Sequence, residues 1–294
     1  MPIVLTLIAG SHVRPGFARL AEAVANAVRA IGEPIWLAAD EACDFIFDAV
    51  DPSTGEQVAR AVIGNAAVDV IVQPLAERRK RLLIADLEST IIENEMLDEL
   101  ADFVGLRSQV SEITRRAMNG EIDFAAALAE RVALLRGMDG RVLKMAAQRI
   151  RVAAGARQLV GTMRSRGAVT ALVSGGFKIF AKRVAAELGF NHVVANRLDL
   201  ATGRIAGTVH PPVVTAETKR QTLLRLAAEF GIPLRQTIAV GDGANDGPML
   251  TTAGLGIAFH AKPRVAATMG SRIDHADLTA LLFAQGYRRD EFVG

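Results

Sequence analysis

Four carboxylates follow strand-like apolar runs: Asp86 and Glu88 come after Leu82-Leu83-Ile84-Ala85, and Asp242 and Asp246 come after Thr237-Ile238-Ala239-Val240. A carboxylate at the end of a buried strand is costly without a cation beside it. Taken singly, Asp86 could cap a helix, and Gly241-Asp242-Gly243 could be turn chemistry. Together they offer the hard oxygen ligands that Mg²⁺ prefers, with positions left for water and a phosphate. A third apolar run, 169–173, leads into Ser174-Gly175-Gly176. Glycine permits close approach of an anion there, and free N–H groups ahead of a helix favour one. Lys219, ordinarily a solvated charge at a helix start, precedes the strand that delivers Asp242. Phosphoryl transfer is catalysed mainly by positioning and electrostatics. The set therefore points to a magnesium-dependent phosphoryl-transfer site.

Each motif ends a strand and precedes a helix-like pattern, which places all of them at the C-terminal edge of an open α/β sheet, where such sheets bind ligands. Between Glu93 and about Ile150 the pattern is helical instead. Met96, Leu97, Leu100, Ala101 and Val104 share one face of the first helix, and Asp98, Glu99 and Asp102 share a polar one. Helical periodicity continues over 124–135 and 142–150, so this stretch reads as a cap inserted over the site. After Gly155 the alternation resumes, with helices over 156–166, 177–188, 218–230 and 247–253 and strands over 169–173, 192–195, 237–240 and 255–258. A hairpin-like pair lies between 195 and 218. The first 75 or so residues read strand 3–8, helix 16–31, strands 35–38 and 42–47, helix 55–63 and strand 68–72, the order of a small α+β ferredoxin-like module. The expected division is 1–76 for that module and 77–294 for a Rossmann-like, mostly parallel α/β domain with its cap at about 93–150.

The order and spacing of the motifs, from about Leu82 to the late 260s, resemble the haloacid dehalogenase superfamily of phosphatases, and within it the phosphoserine phosphatases. The superfamily usually reads Asp-x-Asp at the first motif; this chain has Asp86-Leu87-Glu88. The resemblance implies that Asp86 is both a metal ligand and the nucleophile that becomes an aspartyl-phosphate, with Asp242 and the backbone carbonyl of Glu88 completing the Mg²⁺ ligands. The Glu88 carboxyl takes the place of the general acid/base, with an extra methylene to accommodate. Lys219 neutralises charge on the transferring group, Asn245 contacts phosphate or substrate, and Asp246 orients Lys219 or a metal-bound water. Ser174, Gly175 and Gly176 bind the phosphate. Glu95 takes the ammonium of phosphoserine and Arg131 its carboxylate, by the fork geometry of a guanidinium, against an apolar wall of Met118 and Phe124.

Each of these cap residues has a plainer reading. Arg131 alone would be a solvated helix charge, Glu95 a first-turn acid favoured by the helix dipole, and Met118 and Phe124 cap core. The N-terminal module resembles the ACT-like region of some bacterial phosphoserine phosphatases, with packing or homodimerisation its expected role and ligand sensing the alternative. The expected activity is hydrolysis of O-phospho-L-serine to serine and phosphate. The alternatives are turnover of another small phosphomonoester, or a phosphoserine-binding regulatory role with weak turnover.

Composition narrows the field. A net charge of +2 with Lys and Arg spread among acids and few aromatics gives little support to nucleic-acid binding. The dense basic run Arg78-Arg79-Lys80-Arg81 reads as a solvated linker. No uninterrupted apolar run approaches the roughly 20 residues that span a bilayer, and 1–10 lacks the basic region and cleavage site of a signal peptide. A single cysteine, Cys43, excludes an internal disulfide and suits a reducing compartment. A cytoplasmic enzyme is the resulting expectation.

Overall fold

The computed structural model describes residues 2–10, 13, 16–48, 52–119, 121–267 and 269–294, with backbone alone at Pro52, Met118, Pro263 and Arg264. Strands β1 (Pro2–Ala9), β2 (Ile35–Ala38), β3 (Ala42–Asp48) and β4 (Val68–Pro74) form an antiparallel sheet in the order β2-β3-β1-β4, with helices α1 (Phe17–Val28) and α2 (Pro52–Ile63) in the connections. This is the ferredoxin-like arrangement that the element order predicts. Side chains alternate across a strand, and β1 uses both of its faces. Ile3, Leu5 and Leu7 pack with Phe17, Phe45 and Val70, while Ile8, with Ala42 and Ile71, joins the core of the second sheet.

That second sheet holds β5 (Leu82–Ala85), β6 (Val169–Phe177), β7 (His192–Ala201), β8 (Arg204–His210), β9 (Thr237–Gly241), β10 (Leu255–Phe259) and β11 (Arg272–Ile273), ordered β11-β10-β9-β5-β6-β7-β8. All neighbours run parallel except the β7–β8 hairpin. The apolar run of β5 is buried along its whole length because parallel strands are covered on both faces. Leu83 and Ala85 belong to one core layer and Leu82 and Ile84 to the other.

Between β5 and β6 the chain forms α3 (Met96–Asp102), α4 (Arg107–Met118), α5 (Phe124–Ala133), α6 (Arg141–Ala147) and α7 (Ala156–Ser165). The first four of these make the cap. The chain enters and leaves it through a narrow neck, where Glu93 N–H donates to the Arg151 carbonyl at 2.9 Å and Ala153 N–H to the Ile91 carbonyl at 2.9 Å. Helices α8 (Lys178–Leu188), α9 (Ala216–Glu229), α10 (Gly247–Thr252), α11 (Pro263–Ala266) and α12 (Ala280–Ala284) complete the molecule. No helix among the described residues is long and apolar enough to cross a membrane.

Two expectations are corrected here. Asp98 and Glu99 do not lie on a solvated face of α3, being 8% and 6% exposed. Asp98 accepts from Ser111 and Thr114, and Glu99 from Asn94, Arg107 and Arg149, so distant donors make their burial affordable. The basic run is only in part the solvated linker expected: Arg79 and Arg81 are exposed, but Arg78 and Lys80 are not. Lys80 is 7% exposed with its ammonium on the Glu77 and Arg235 carbonyls. Arg78 ties the two sheets together by a forked pair to buried Asp44 at 2.6 and 3.0 Å and by contacts with the Phe283 and Ala284 carbonyls. Asp69 adds a second tie, accepting the N–H groups of Asp274, His275 and Ala276.

Removing one partner of a buried pair leaves an uncompensated charge, so Arg78→Met is expected to lower the unfolding free energy by about 3–5 kcal/mol. The double variant Arg78→Met/Asp44→Leu should recover most of that loss. Denaturant titrations of the three proteins check this, and equal stability of parent and Arg78→Met would show that the pair holds nothing together.

Candidate active site

The three catalytic-looking motifs end at one level of the sheet because register puts them there. Ala85 pairs with Leu172 on one side and Val240 on the other, and Asp86 N–H donates to the Val240 carbonyl at 3.0 Å. Asp86, Ser174 and Asp242 therefore emerge from adjacent strands at the same edge. Behind them the N-terminal turn of α9, closed by reciprocal Thr215 and Thr218 contacts, presents Lys219. Its ammonium lies 2.6 Å from Asp86 Oδ1 and 2.7 Å from Asp246 Oδ1, with all three side chains buried. Asp246 is fixed from its other oxygen by Gly243 N–H at 3.1 Å. Gly241 is needed for this approach, since a Cβ there would fall 2.4 Å from Asp246 Cγ.

Asp86, Asp242 and Asp246 bring carboxylate oxygens within 4.8 Å of one another. Burial, then Asp246, push the Asp86 carboxyl up to about 7 against the opposing pull of Lys219. Burial, then Glu95, Asp246 and Asp86, push Asp242 well above the usual carboxylate range. Burial pulls Lys219 the other way, but Asp246 and Asp86 outweigh it and keep the ammonium charged. One lysine among three acids leaves a surplus of buried negative charge. Asp242 Oδ2 is buried without a hydrogen bond, its nearest cation being Lys262 Nζ at 3.3 Å. An all-oxygen donor set with a surplus charge and an unsatisfied oxygen fits a hard divalent cation.

In front of this cluster a small, partly open pocket is lined by Asp86, Glu88, Phe124, Arg131, Gly175, Gly176 and Asn245, with Leu97, Leu128 and Phe177 as apolar wall. Asn245 carries a buried amide oxygen with no partner. Phe124 closes over Gly175, where a Cβ would lie 2.4 Å from the ring. Phe124 and Arg131 both ride on α5, which starts where Asp123 accepts the Ala126 N–H at 2.8 Å. Arg131 is 3% exposed and donates Nε–H to the Ala127 carbonyl and Nη1–H to Thr114 Oγ1. Three of the five N–H donors of a guanidinium are then left.

Glu88 occupies the extra room its methylene requires. Its Oε1 accepts the Met96 N–H at 3.0 Å, and its carboxyl lies over Gly176, where a Cβ would be 2.6 Å from Oε2. Burial, then Glu95 and Asp86, raise it to about 8. That direction favours its protonated form.

Ser174 and Glu95 fall just outside the pocket lining. Ser174 is buried and its Oγ accepts the Gly176 N–H at 2.8 Å, which uses one of the loop N–H groups but leaves the hydroxyl proton to donate. Glu95 stands at the N-cap position of α3 without a side-chain capping bond, and its Oε1 accepts the hydroxyl of Ser89 at 2.7 Å. Met118 ends α4, and its side chain is outside the described residues. Sequence reasoning missed Lys262, Thr114 and Asn196. The last donates to the Gly175 carbonyl and accepts from Val214 N–H, both at 2.7 Å, and so pins the Ser-Gly-Gly loop. Its one signal is an asparagine directly after the 192–195 strand.

The fold and this site define a hydrolase class, and comparison with known proteins gives its family. The profile of haloacid dehalogenase-like hydrolases matches residues 83–251, and the chain belongs to that family. It is 45% identical over 199 residues to a phosphoserine phosphatase of Streptococcus thermophilus, covering 68% of this chain and 93% of that one. It is 40% identical over 232 residues to phosphoserine phosphatase SerB2 of Mycobacterium tuberculosis, covering 78% of this chain but spanning only 57% of that relative's length. A haloacid dehalogenase family hydrolase from Salmonella enterica serovar Typhi shares the fold over 96% of this chain and 98% of its own, at 28% identity and a TM-score of 0.84. A structure described as the phospho-aspartyl intermediate analogue of phosphoserine phosphatase matches 70% of this chain and 98% of its own, at 38% identity and a TM-score of 0.67.

The seating of Glu88 gives a test. Gly176→Ala would push the carboxyl off its place, and a displacement of about 1 Å costs on the order of 10²-fold in rate, so kcat is expected to fall by roughly that factor with the fold kept. Glu88→Asp withdraws the carboxyl from Met96 N–H and should also lower kcat. A faster Glu88→Asp enzyme would show that the loop is still built for the shorter acid.

Proposed function

We propose that this hydrolase is a Mg²⁺-dependent phosphoserine phosphatase, releasing L-serine and phosphate from O-phospho-L-serine through an aspartyl-phosphate. The observation that carries the reading is the pairing of Asp86 with Lys219 at the floor of a cavity whose wall holds Arg131 with donors to spare. The relatives named above support the choice of substrate. The Mg²⁺ ligands would be Asp86, Asp242 and the Glu88 carbonyl, and the ion's chemistry there is to withdraw negative charge from the phosphoryl oxygens.

Asp86 attacks phosphorus, and Lys219, held against it, offsets charge on the transferring group. Glu88 gives its proton to the departing serine oxygen, so serine leaves neutral at that atom and Glu88 is left ionised. The carboxylate then takes a proton from water as that water attacks the aspartyl-phosphate, which restores both Asp86 and Glu88. The Ser174 hydroxyl and Asn245 bind phosphate oxygens, Arg131 binds the substrate carboxylate, and Glu95 binds its ammonium. Phe124 and Met118 exclude water. The division into 1–76 and 77–294, a packing or homodimerisation role for the first unit, and a cytoplasmic location belong to the same proposal.

Phosphate release from a panel of phosphomonoesters, with and without Mg²⁺, tests the whole reading, with phosphoserine expected to be the best substrate and the metal required. Asp86→Asn should abolish turnover with the fold intact, and near-parental release would end the aspartyl-phosphate route. Arg131→Ala should lower kcat/KM for phosphoserine by ~10²-fold or more, since losing one partner of a desolvated charge pair costs about 2–5 kcal/mol. Phosphoethanolamine, which lacks the carboxylate, should lose much less.

The first chemical step also has an expected pH dependence. Glu88 must be protonated, so the single-turnover rate should fall as pH rises through about 8. The same fall in Glu88→Gln would remove Glu88 from the role.

A further inference from the structure

Arg131 is a buried cation among acids that it does not directly pair. Glu88, Glu95 and Asp98 all act on it electrostatically. Yet its hydrogen bonds go to two neutral acceptors, the Ala127 carbonyl at 3.1 Å and Thr114 Oγ1 at 2.8 Å. A buried charge normally settles on the nearest opposite one. Here the hydroxyl stands between. Thr114 Oγ1 has a single proton to give, and its acceptors are Asp98 Oδ1 at 3.1 Å and the Val110 carbonyl at 3.0 Å. Ser111 holds the other Asp98 oxygen at 2.5 Å. The carboxylate on α3 is thus fixed by hydroxyls of α4, one of which accepts from the guanidinium on α5.

We propose that Thr114, backed by Asp98, is a positioning residue for substrate recognition: it holds the Arg131 guanidinium away from Glu88 and Glu95, with its fork open to the carboxylate of the substrate. This rests on the reading of Arg131 given above. The chemistry favours a hydroxyl at this place. It accepts one N–H without neutralising the cation, and its link to Asp98 polarises it toward doing so. A bidentate fork works only if its plane is fixed before the substrate arrives. Without the hydroxyl the plane of the guanidinium is no longer fixed, and the fork meets the substrate carboxylate in several orientations.

The test compares Thr114→Val, which keeps the shape and drops the hydroxyl, with Thr114→Ser, which keeps the hydroxyl, on full-length protein with Mg²⁺. Arg131→Ala serves as reference, and phosphoserine and phosphoethanolamine are the substrates. Thr114→Val is expected to raise KM for phosphoserine roughly tenfold, the scale of one hydrogen bond to a charged group, with kcat changed by no more than about twofold. Phosphoethanolamine should be much less affected, and Thr114→Ser should resemble the parent. Asp98→Asn, which keeps an acceptor and drops the charge, should give a smaller loss in the same direction and covers the case in which Thr114→Val does not fold. Equal losses on both esters, or Thr114→Ser as impaired as Thr114→Val, would overturn the inference if Arg131→Ala is itself selective for phosphoserine. If Arg131→Ala also affects both esters equally, it is the reading of Arg131 that fails.

Discussion

Everything at this site depends on one buried ammonium between two carboxylates. Lys219 touches Asp86 and Asp246 at hydrogen-bond distance with no solvent to screen the charges. Such an arrangement is stable only if the geometry is tight and the remaining oxygens are satisfied. That requirement sets the details around it: Gly241 has no Cβ so that Asp246 can approach, Gly243 donates to the second Asp246 oxygen, and a reciprocal threonine cap fixes the turn that carries Lys219. Asp242 then has no comparable partner within the cluster. Burial, and then the neighbouring acids, raise Asp86 and Asp242, and that surplus of acid suits the site to a divalent cation, whose presence would reverse the direction of those shifts.

Sheet order is the second consequence. Asp86 and Asp242 can meet only if β5 and β9 are neighbours, and the Ser-Gly-Gly loop reaches the same point only if β6 lies on the other flank of β5. With β5 central, the chain departs to β6 on one side and arrives at β9 from the other, the topological switch at which such sheets leave a crevice. The N-terminal sheet contributes no residue to the cavity. Its polar contacts through Thr6, Asp44 and Asp69 go to the C-terminal segment and the Arg78 turn, which explains why β1 is buried on both faces.

Much of this was legible because the signals were local. A short, mostly apolar run that ends in or near an acid marks a buried strand ending at a site: β5 is followed at once by Asp86, and the Thr237–Val240 run by Gly241 and Asp242. The β-α-β-β-α-β order of 1–76 was equally plain from alternation and turns. What failed to show were charges whose fate is decided by distant partners. Asp98 and Glu99 have the spacing of a solvated helix face, yet they are buried because α4 and Arg149 bring donors to them. Arg78 looks like any residue of a basic run until Asp44, thirty-four positions earlier, comes beside it. Lys262 and Asn196 were missed for the same reason, since only the folded sheet edge brings them to Asp242 and Gly175.

The short helix α3 links catalysis to recognition. Its first N–H, from Met96, holds the Glu88 carboxyl; its cap residue, Glu95, takes the Ser89 hydroxyl; and its Asp98 backs the hydroxyl that holds Arg131. These contacts lie within four consecutive positions, 95–98, less than about one and a quarter turns of an α-helix. The Glu88 carboxyl lies on the body side of the neck at Ile91–Glu93 and Arg151–Ala153 and Arg131 on the cap side, and α3 touches the partners of both. On the roles proposed above, one helix therefore supports both the Arg131 fork and the Glu88 carboxyl. Glutamate at position 88 strengthens that coupling, because its extra methylene is what carries the carboxyl within reach of the helix. The glutamate at this position thus ties the carboxyl to the first turn of the cap, through Met96 N–H.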